Sequence, residues 1–284
     1  MNRLVWKLLR QHISVGQLTG FFLANLFGMM IVLLSIQFYQ DVLPIFTQGD
    51  SFMKKEYSKY LFSSLIVFVV FIIYTICVKF VDVKAIGPND PNVVLDPNSI
   101  NVGFATINKF VHDLFGVHFG LYNATDIGSI IPIGLAILYA VIGAVQLIKY
   151  KDIKKVDKNI IALGVFYIAT VIVYLFFEFV VINHRPVLID GVLEASYPSS
   201  TTMLSLTFMI TSIDQSNKYI KNDTAKKVVM WLSIAYSAFL VIGRIISGVH
   251  WFTDILGAVI VSTALILLYF GLKSYLINLS EKTE

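Results

Sequence analysis

Residues 160–182 read IIALGVFYIATVIVYLFFEFVVI, with one charge, Glu178. A hydrocarbon core about 30 Å thick takes about 20 apolar residues of helix. No water is there to satisfy a free strand edge, so such a stretch must cross as a helix. Six further apolar runs accompany it: about Leu18–Phe38, Tyr60–Val81, Ile127–Ile148, the shorter Thr201–Ile213, Val228–Ile242 and Ile255–Leu276. The 284 residues are 57% hydrophobic and 14% charged, with a mean hydropathy of +0.76. A soluble domain carries about 45–50% apolar and about 25% charged residues. That balance excludes an ordinary water-soluble enzyme, and the long apolar runs exclude disorder. The expected fold is all-α: a polytopic transmembrane helix bundle of six to seven spans.

The net charge is +4, and no basic cluster alternates with aromatics, so a nucleic-acid partner is not expected. Lysines set the orientation. Lys149, Lys151, Lys154, Lys155 and Lys158 follow the third run, and Lys218, Lys221, Lys226 and Lys227 follow the fifth. Both turns belong on the cytoplasmic side, with Lys54, Lys55 and Lys59. Segments 183–200 and 243–254 then fall together on the external face, in what is expected to be the plasma membrane. Arg3, Lys7 and Arg10 do not fit unless the first run fails to cross or the bias is overruled there. The start is basic, but no small-residue cleavage site follows the first run, which reads as a retained segment. Cys77 is the one cysteine, so no intrachain disulfide is possible.

The chain divides into an N-terminal segment with the first membrane helix, 1–59, and a membrane core, 60–284. Within the core, an external loop covers about 82–126. Its GPNDPN and LDPNS are turn chemistry, and NVGFATINKFVHDLFGVHFGLYN is mildly amphipathic. The amphipathic part is expected to lie on the bilayer surface, where it is placed to cover a site.

Ionisable groups at membrane depth are costly and ask for a reason. Here three clusters gather within 178–254, at the external ends of the last four runs. In EFVVINHRP, Glu178 and Arg185 are seven apart, which puts them on one face if the helix persists that far. In YPSSTT, Pro198 precedes Ser199, Ser200 and Thr201, a helix start whose free N–H groups suit an anion. In RIISGVHWFTD, Arg244 precedes His250, and Asp254 is four residues beyond it, within reach of the imidazole. Two arginines suit a multi-oxygen anion through forked hydrogen bonds. A carboxylate beside a histidine makes the far ring nitrogen a better nucleophile or base.

The order and spacing resemble the type 2 phosphatidic acid phosphatase superfamily of membrane lipid phosphatases. Its motifs are Lys, six residues, Arg-Pro; then Pro-Ser-Gly/Ser-His; then Ser-Arg, five residues, His, three residues, Asp. The third is nearly complete here, with Gly243 in place of Ser. The first keeps Arg185-Pro186 but has Glu178 for Lys. The second keeps Pro198-Ser199-Ser200 but has Thr201 for His.

The resemblance implies hydrolysis of a lipid phosphate or diphosphate, such as a polyprenyl diphosphate or a glycerophospholipid phosphate, through a phosphohistidine on His250 oriented by Asp254. Arg185, Arg244, Ser199, Ser200 and Thr201 would bind the phosphate, and no cofactor or metal is implied. The partners expected are that lipid and the bilayer. In the family the second-motif histidine protonates the leaving oxygen, which a threonine does not do at neutral pH. The expected consequence is a preference for a diphosphate, or a substitute acid from Glu178, His184 or His118. Glu178 also reads as an ion-pair partner for an arginine. The alternative function is a catalytically inactive relative that binds or transports a lipid phosphate.

Overall fold

The computed structural model describes residues 57–88, 90 and 93–281. The first apolar run, the orientation of the N-terminus and nearly all of the 1–59 unit lie outside these residues. Helix α1 is Tyr57–Phe80. A short antiparallel pair, β1 (Lys84–Ala85) and β2 (Asn101–Val102), follows. Then come α2 (Ala105–Phe115), α3 (Phe119–Gly128), α4 (Ile130–Tyr150), α5 (Lys158–Phe179), α6 (Ser200–Tyr219), α7 (Asp223–Ser247) and α8 (Phe252–Glu281).

Among the described residues, five stretches are long and apolar enough to cross a membrane: α1, α3 and α4 as one length, α5, α7 and α8. The protein is therefore an all-α transmembrane bundle. Two expectations need correction. The amphipathic segment 101–123 is not one surface helix, since its second half, α3, runs on into the third span. The fifth apolar run is a helix, α6, but its Ser, Thr, Asp and Gln residues make it less apolar than the five others. It is enclosed by neighbours instead, with most of its side chains buried.

Helix α8 is apolar on all sides, as a helix at the centre of a bundle should be. It packs against α1, α5 and α6, and touches α2 and α7. Helix starts follow ordinary capping: Asp157 accepts from Asn159 N at 3.0 Å and Asn222 from Ala225 N at 2.9 Å. Lys218 pairs with Asp157, so the two lysine-rich turns share one end of the bundle. The three motif clusters are at the other end.

The lysine-end half of the bundle carries a buried polar lock between α6 and α8. Lys273 Nζ lies 2.9 and 3.0 Å from the two oxygens of Asp214. The Tyr269 hydroxyl donates to Asp214 at 2.6 Å and accepts from Gln215 at 2.7 Å. Removing one partner leaves the other charge buried and uncompensated. Lys273→Met is expected to lower stability by about 3–5 kcal/mol. Adding Asp214→Asn should recover much of that loss. Melting curves of the single and double variants check this.

Candidate active site

Helix α7 ends where Gly248 takes a left-handed conformation, φ +67°. A Cβ there would sit 1.9 Å from the Gly116 carbonyl oxygen, so both the backbone angle and the approach of the α2–α3 turn require glycine. Gly243, where the family motif has serine, lies against Thr125 of α3, whose Cγ2 is 2.5 Å from where a Cβ would be. These two contacts bring α3 over the end of α7.

The reversal delivers His250 just before α8. Trp251 N donates to Asp254 Oδ2 at 2.9 Å, closing the first turn of α8. Asn183 Nδ2 approaches Asp254 Oδ1 at 3.4 Å, and Ser199 N donates to the Asp254 carbonyl at 3.1 Å. One carboxyl residue thus ties together the segments that carry all three motifs. Tyr197, packed between Phe71 and Phe177 with its hydroxyl 2.8 Å from Thr75 Oγ1, anchors the chain just before α6. The Tyr197–Pro198 bond is cis.

The His250 ring is 5% exposed. Its Nδ1 is 3.1 Å from the Ser196 carbonyl, which can only accept, so Nδ1 carries the proton. Nε2 is then unprotonated and faces Arg185 Nη1 at 3.0 Å. Burial, with Arg185 and Arg244 nearby, pushes the imidazole well below its usual titration range. It is neutral and its lone pair points at a guanidinium. The expected His250–Asp254 hydrogen bond is not made: the distance is 3.7 Å because Asp254 Oδ2 is turned to the Trp251 amide. Ser196, unremarked in the sequence, holds the ring instead.

The two arginines flank one tyrosine, with guanidinium carbons 5.8 Å (Arg185) and 4.7 Å (Arg244) from the Tyr122 ring centre. Arg185 Nε lies 2.9 Å from Glu194 Oε2. Arg244 is 1% exposed, and its Nη2 donates to both Asp126 Oδ1 and Thr201 Oγ1 at 2.5 Å. Its Nε and Nη1 are buried with no hydrogen-bond partner among the described residues. Ser199 precedes the first residue of α6, its Oγ likewise buried and unpartnered, and Ser200 lies in the cavity wall. The first N–H groups of α6 have no helical partner, as at any helix start.

A cavity of about 590 Å³ opens onto this group. Its wall includes Tyr122, Asp126, Tyr174, Phe177, Glu178, His184, Arg185, Glu194, Ser200, Met203 and His250. Helix α5 ends at Phe179, so Glu178 and Arg185 do not share a helical face. Among the described residues no arginine pairs with Glu178; the arginines' partners are Glu194 and Asp126, and Glu178 meets the Tyr174 hydroxyl. Asp126 was hidden as one acid at the edge of an apolar run. His184 is half-buried with Nδ1 3.1 Å from the Ser99 carbonyl, and burial lowers its pKa. His118 is exposed, bonded to the Phe115 carbonyl, and is not part of the cavity wall. Among the described residues, no group of three His, Cys, Asp or Glu is placed to hold a metal ion.

The fold and site define an integral membrane protein with a cavity beside two arginines and a buried histidine. Residues 159–277 match the model of the PAP2 superfamily. Residues 4–48 match the model described as a probable transporter N-terminal domain. Among solved structures, the chain is similar to the first transmembrane PAP2-type phosphatidylglycerolphosphate phosphatase from Bacillus subtilis. Identity is 20%, coverage is 78% of this chain and 97% of that chain, and the TM-score is 0.45. No curated protein matches the chain.

Proposed function

We propose that this protein hydrolyses a lipid phosphate or diphosphate at the external face of the plasma membrane, with His250 as nucleophile. One observation carries the proposal: the unprotonated Nε2 of His250 faces the anion-binding groups, 3.0 Å from Arg185. Phosphate oxygens would lie on Arg185, on the free N–H groups of Arg244 and at the start of α6 with Ser199, Ser200 and Thr201. Nε2 attacks phosphorus, a P–N bond forms and the bond to the leaving oxygen breaks. Water then cleaves the P–N bond and regenerates the imidazole. The same donors stabilise the charge on the transferring group. Asp254 sits 3.7 Å from Nδ1 and stabilises positive charge that develops on the ring.

Thr201 Oγ1 accepts from Arg244, which leaves its O–H for a phosphate oxygen, but a threonine hydroxyl is no acid at neutral pH. General acid help is typically worth about 10²–10⁴ in rate when the leaving group is an alkoxide. A phosphate leaving group scarcely needs it. Among amine-free lipids of matched chain, the diphosphate is therefore expected to be cleaved faster than the monophosphate. Phosphate release from both in detergent is the test, and a faster monophosphate refutes the leaving-group argument.

A second reading is a relative without catalytic activity that binds or moves a lipid phosphate. The match of residues 4–48 to a probable transporter domain favours it, together with Glu178 and Thr201 at the altered motif positions. Binding of lipid phosphate with no phosphate release would decide for it.

A further inference from the structure

We infer that the lipid this site takes carries an ammonium group beside its phosphate, and that Glu178 is the counter-ion for that ammonium. The inference rests on the phosphate-site reading and names its substrate class.

The charges around the cavity do not suit a bare phosphate. Arg185 lines it and the buried Arg244 holds Asp126 of the same wall, so each guanidinium already has a carboxylate: Arg185 has Glu194 and Arg244 has Asp126. Glu178 is a third carboxylate in the same wall, and no basic side chain among the described residues pairs with it. Counting the three wall carboxylates against the two guanidiniums that pair with them, this group is one negative charge in excess before any phosphate enters. A phosphate adds more negative charge to a partly enclosed site. Charge complementarity therefore asks the ligand to bring a cation of its own. Glu178 stands near the end of α5, across the cavity wall from the site, where the family motif has lysine. An ammonium on the ligand replaces that lysine, and a carboxylate then becomes the fitting wall residue.

The same ammonium answers the loss at Thr201. In a phosphorylated 1,2-amino alcohol the nitrogen lies close to the leaving oxygen. An ammonium has three N–H donors. One reaches Glu178 and another the leaving oxygen. As Nε2 of His250 bonds to phosphorus and the P–O bond breaks, that oxygen takes a proton from the ammonium. The product is a neutral amino alcohol, which regains its proton from water. Apolar Phe177, Val181 and Met203 in the wall suit the attached chain.

The experiment compares a phosphorylated long-chain 2-amino alcohol with its N-acetyl derivative, for the full chain in detergent. Phosphate release and ligand-induced thermal stabilisation are both measured, for wild type, Glu178→Gln and Glu178→Lys. Glu178 is exposed and capping nothing, so these variants are expected to fold. Wild type should favour the free amine by about tenfold or more in kcat/KM. Glu178→Gln should bring the two lipids to within about twofold, and Glu178→Lys should favour the acetylated one.

An absent preference in wild type, or a preference that survives in Glu178→Gln, overturns the inference. So does recovery of full rate on the acetylated lipid with added Mg²⁺ or Ca²⁺, which would assign Glu178 to a metal cation. If neither lipid is hydrolysed but the amine stabilises wild type more than Glu178→Gln, the inference stands and the hydrolase reading fails. If neither lipid is hydrolysed or stabilises the protein, the inference falls.

Discussion

His250→Ala is expected to abolish phosphate release, by at least about 10⁴-fold in kcat/KM, while leaving the bundle folded. The expectation comes from the environment of the ring more than from its identity. Nδ1–H is committed to the Ser196 carbonyl and Nε2 is left bare toward Arg185. The other imidazole in the wall, His184, has its Nδ1 3.1 Å from the Ser99 carbonyl. Burial and the two arginines depress the imidazole, so it stays unprotonated as pH falls through 6.5. The acid limb of kcat/KM that belongs to this group should therefore lie below pH 6.5, and activity should be lost only as pH passes under the depressed value. The linked effect on folding has the same sign. The unfolded chain takes up the proton first, so stability falls with pH below 6.5, down to the folded value. An acid-labile phosphoryl label should form on wild type and be absent from His250→Ala. Unchanged release in the variant would remove the nucleophile assignment.

Much of the bundle was legible because lipid leaves few alternatives. Runs such as Ile160–Ile182 have to be helices, and the lysines at both turns have to share a side. The Lys218–Asp157 pair shows that those two turns meet. The third motif was legible for a similar reason: Arg244, His250 and Asp254 follow one another across a single helix reversal. What the sequence could not show was the fate of hydrogen-bonding groups with several local options. Asp254 is within reach of His250 by spacing, yet its oxygen caps α8, and a backbone carbonyl takes over at the ring. Backbone partners leave no trace in residue identity, which is why Ser196 was missed.

The cavity acids were hidden by a related limit. Glu194 reaches Arg185 through an irregular antiparallel pairing, in which Arg185 N donates to the Glu194 carbonyl at 3.0 Å. Asp126 reaches Arg244 because Gly243 lets α3 settle on α7. Neither approach follows a helical period. The expected pairing of Glu178 with an arginine failed for the same reason: α5 stops before the motif does.

Arg244→Ala carries the second large expected effect, a fall in kcat/KM of about 10²–10³. The side chain is 1% exposed and holds Asp126 and Thr201 with one nitrogen, which leaves Nε and Nη1 for the anion. Its removal deletes those donors and also strands the Asp126 carboxylate as an uncompensated charge beside the phosphate. Repulsion should then raise KM while the missing donors lower kcat. Arg244→Lys should restore little. An ammonium is a single point of charge, and it does not hold two acceptors while presenting two further N–H groups in a fixed plane. Combining Arg244→Ala with Asp126→Asn separates the two effects. The double variant should recover much of the binding loss and little of the rate loss. If Arg244→Ala alone stays within about threefold of wild type, the transferring group is held by Arg185 and the start of α6, and the buried guanidinium serves only to dock α3 on α7.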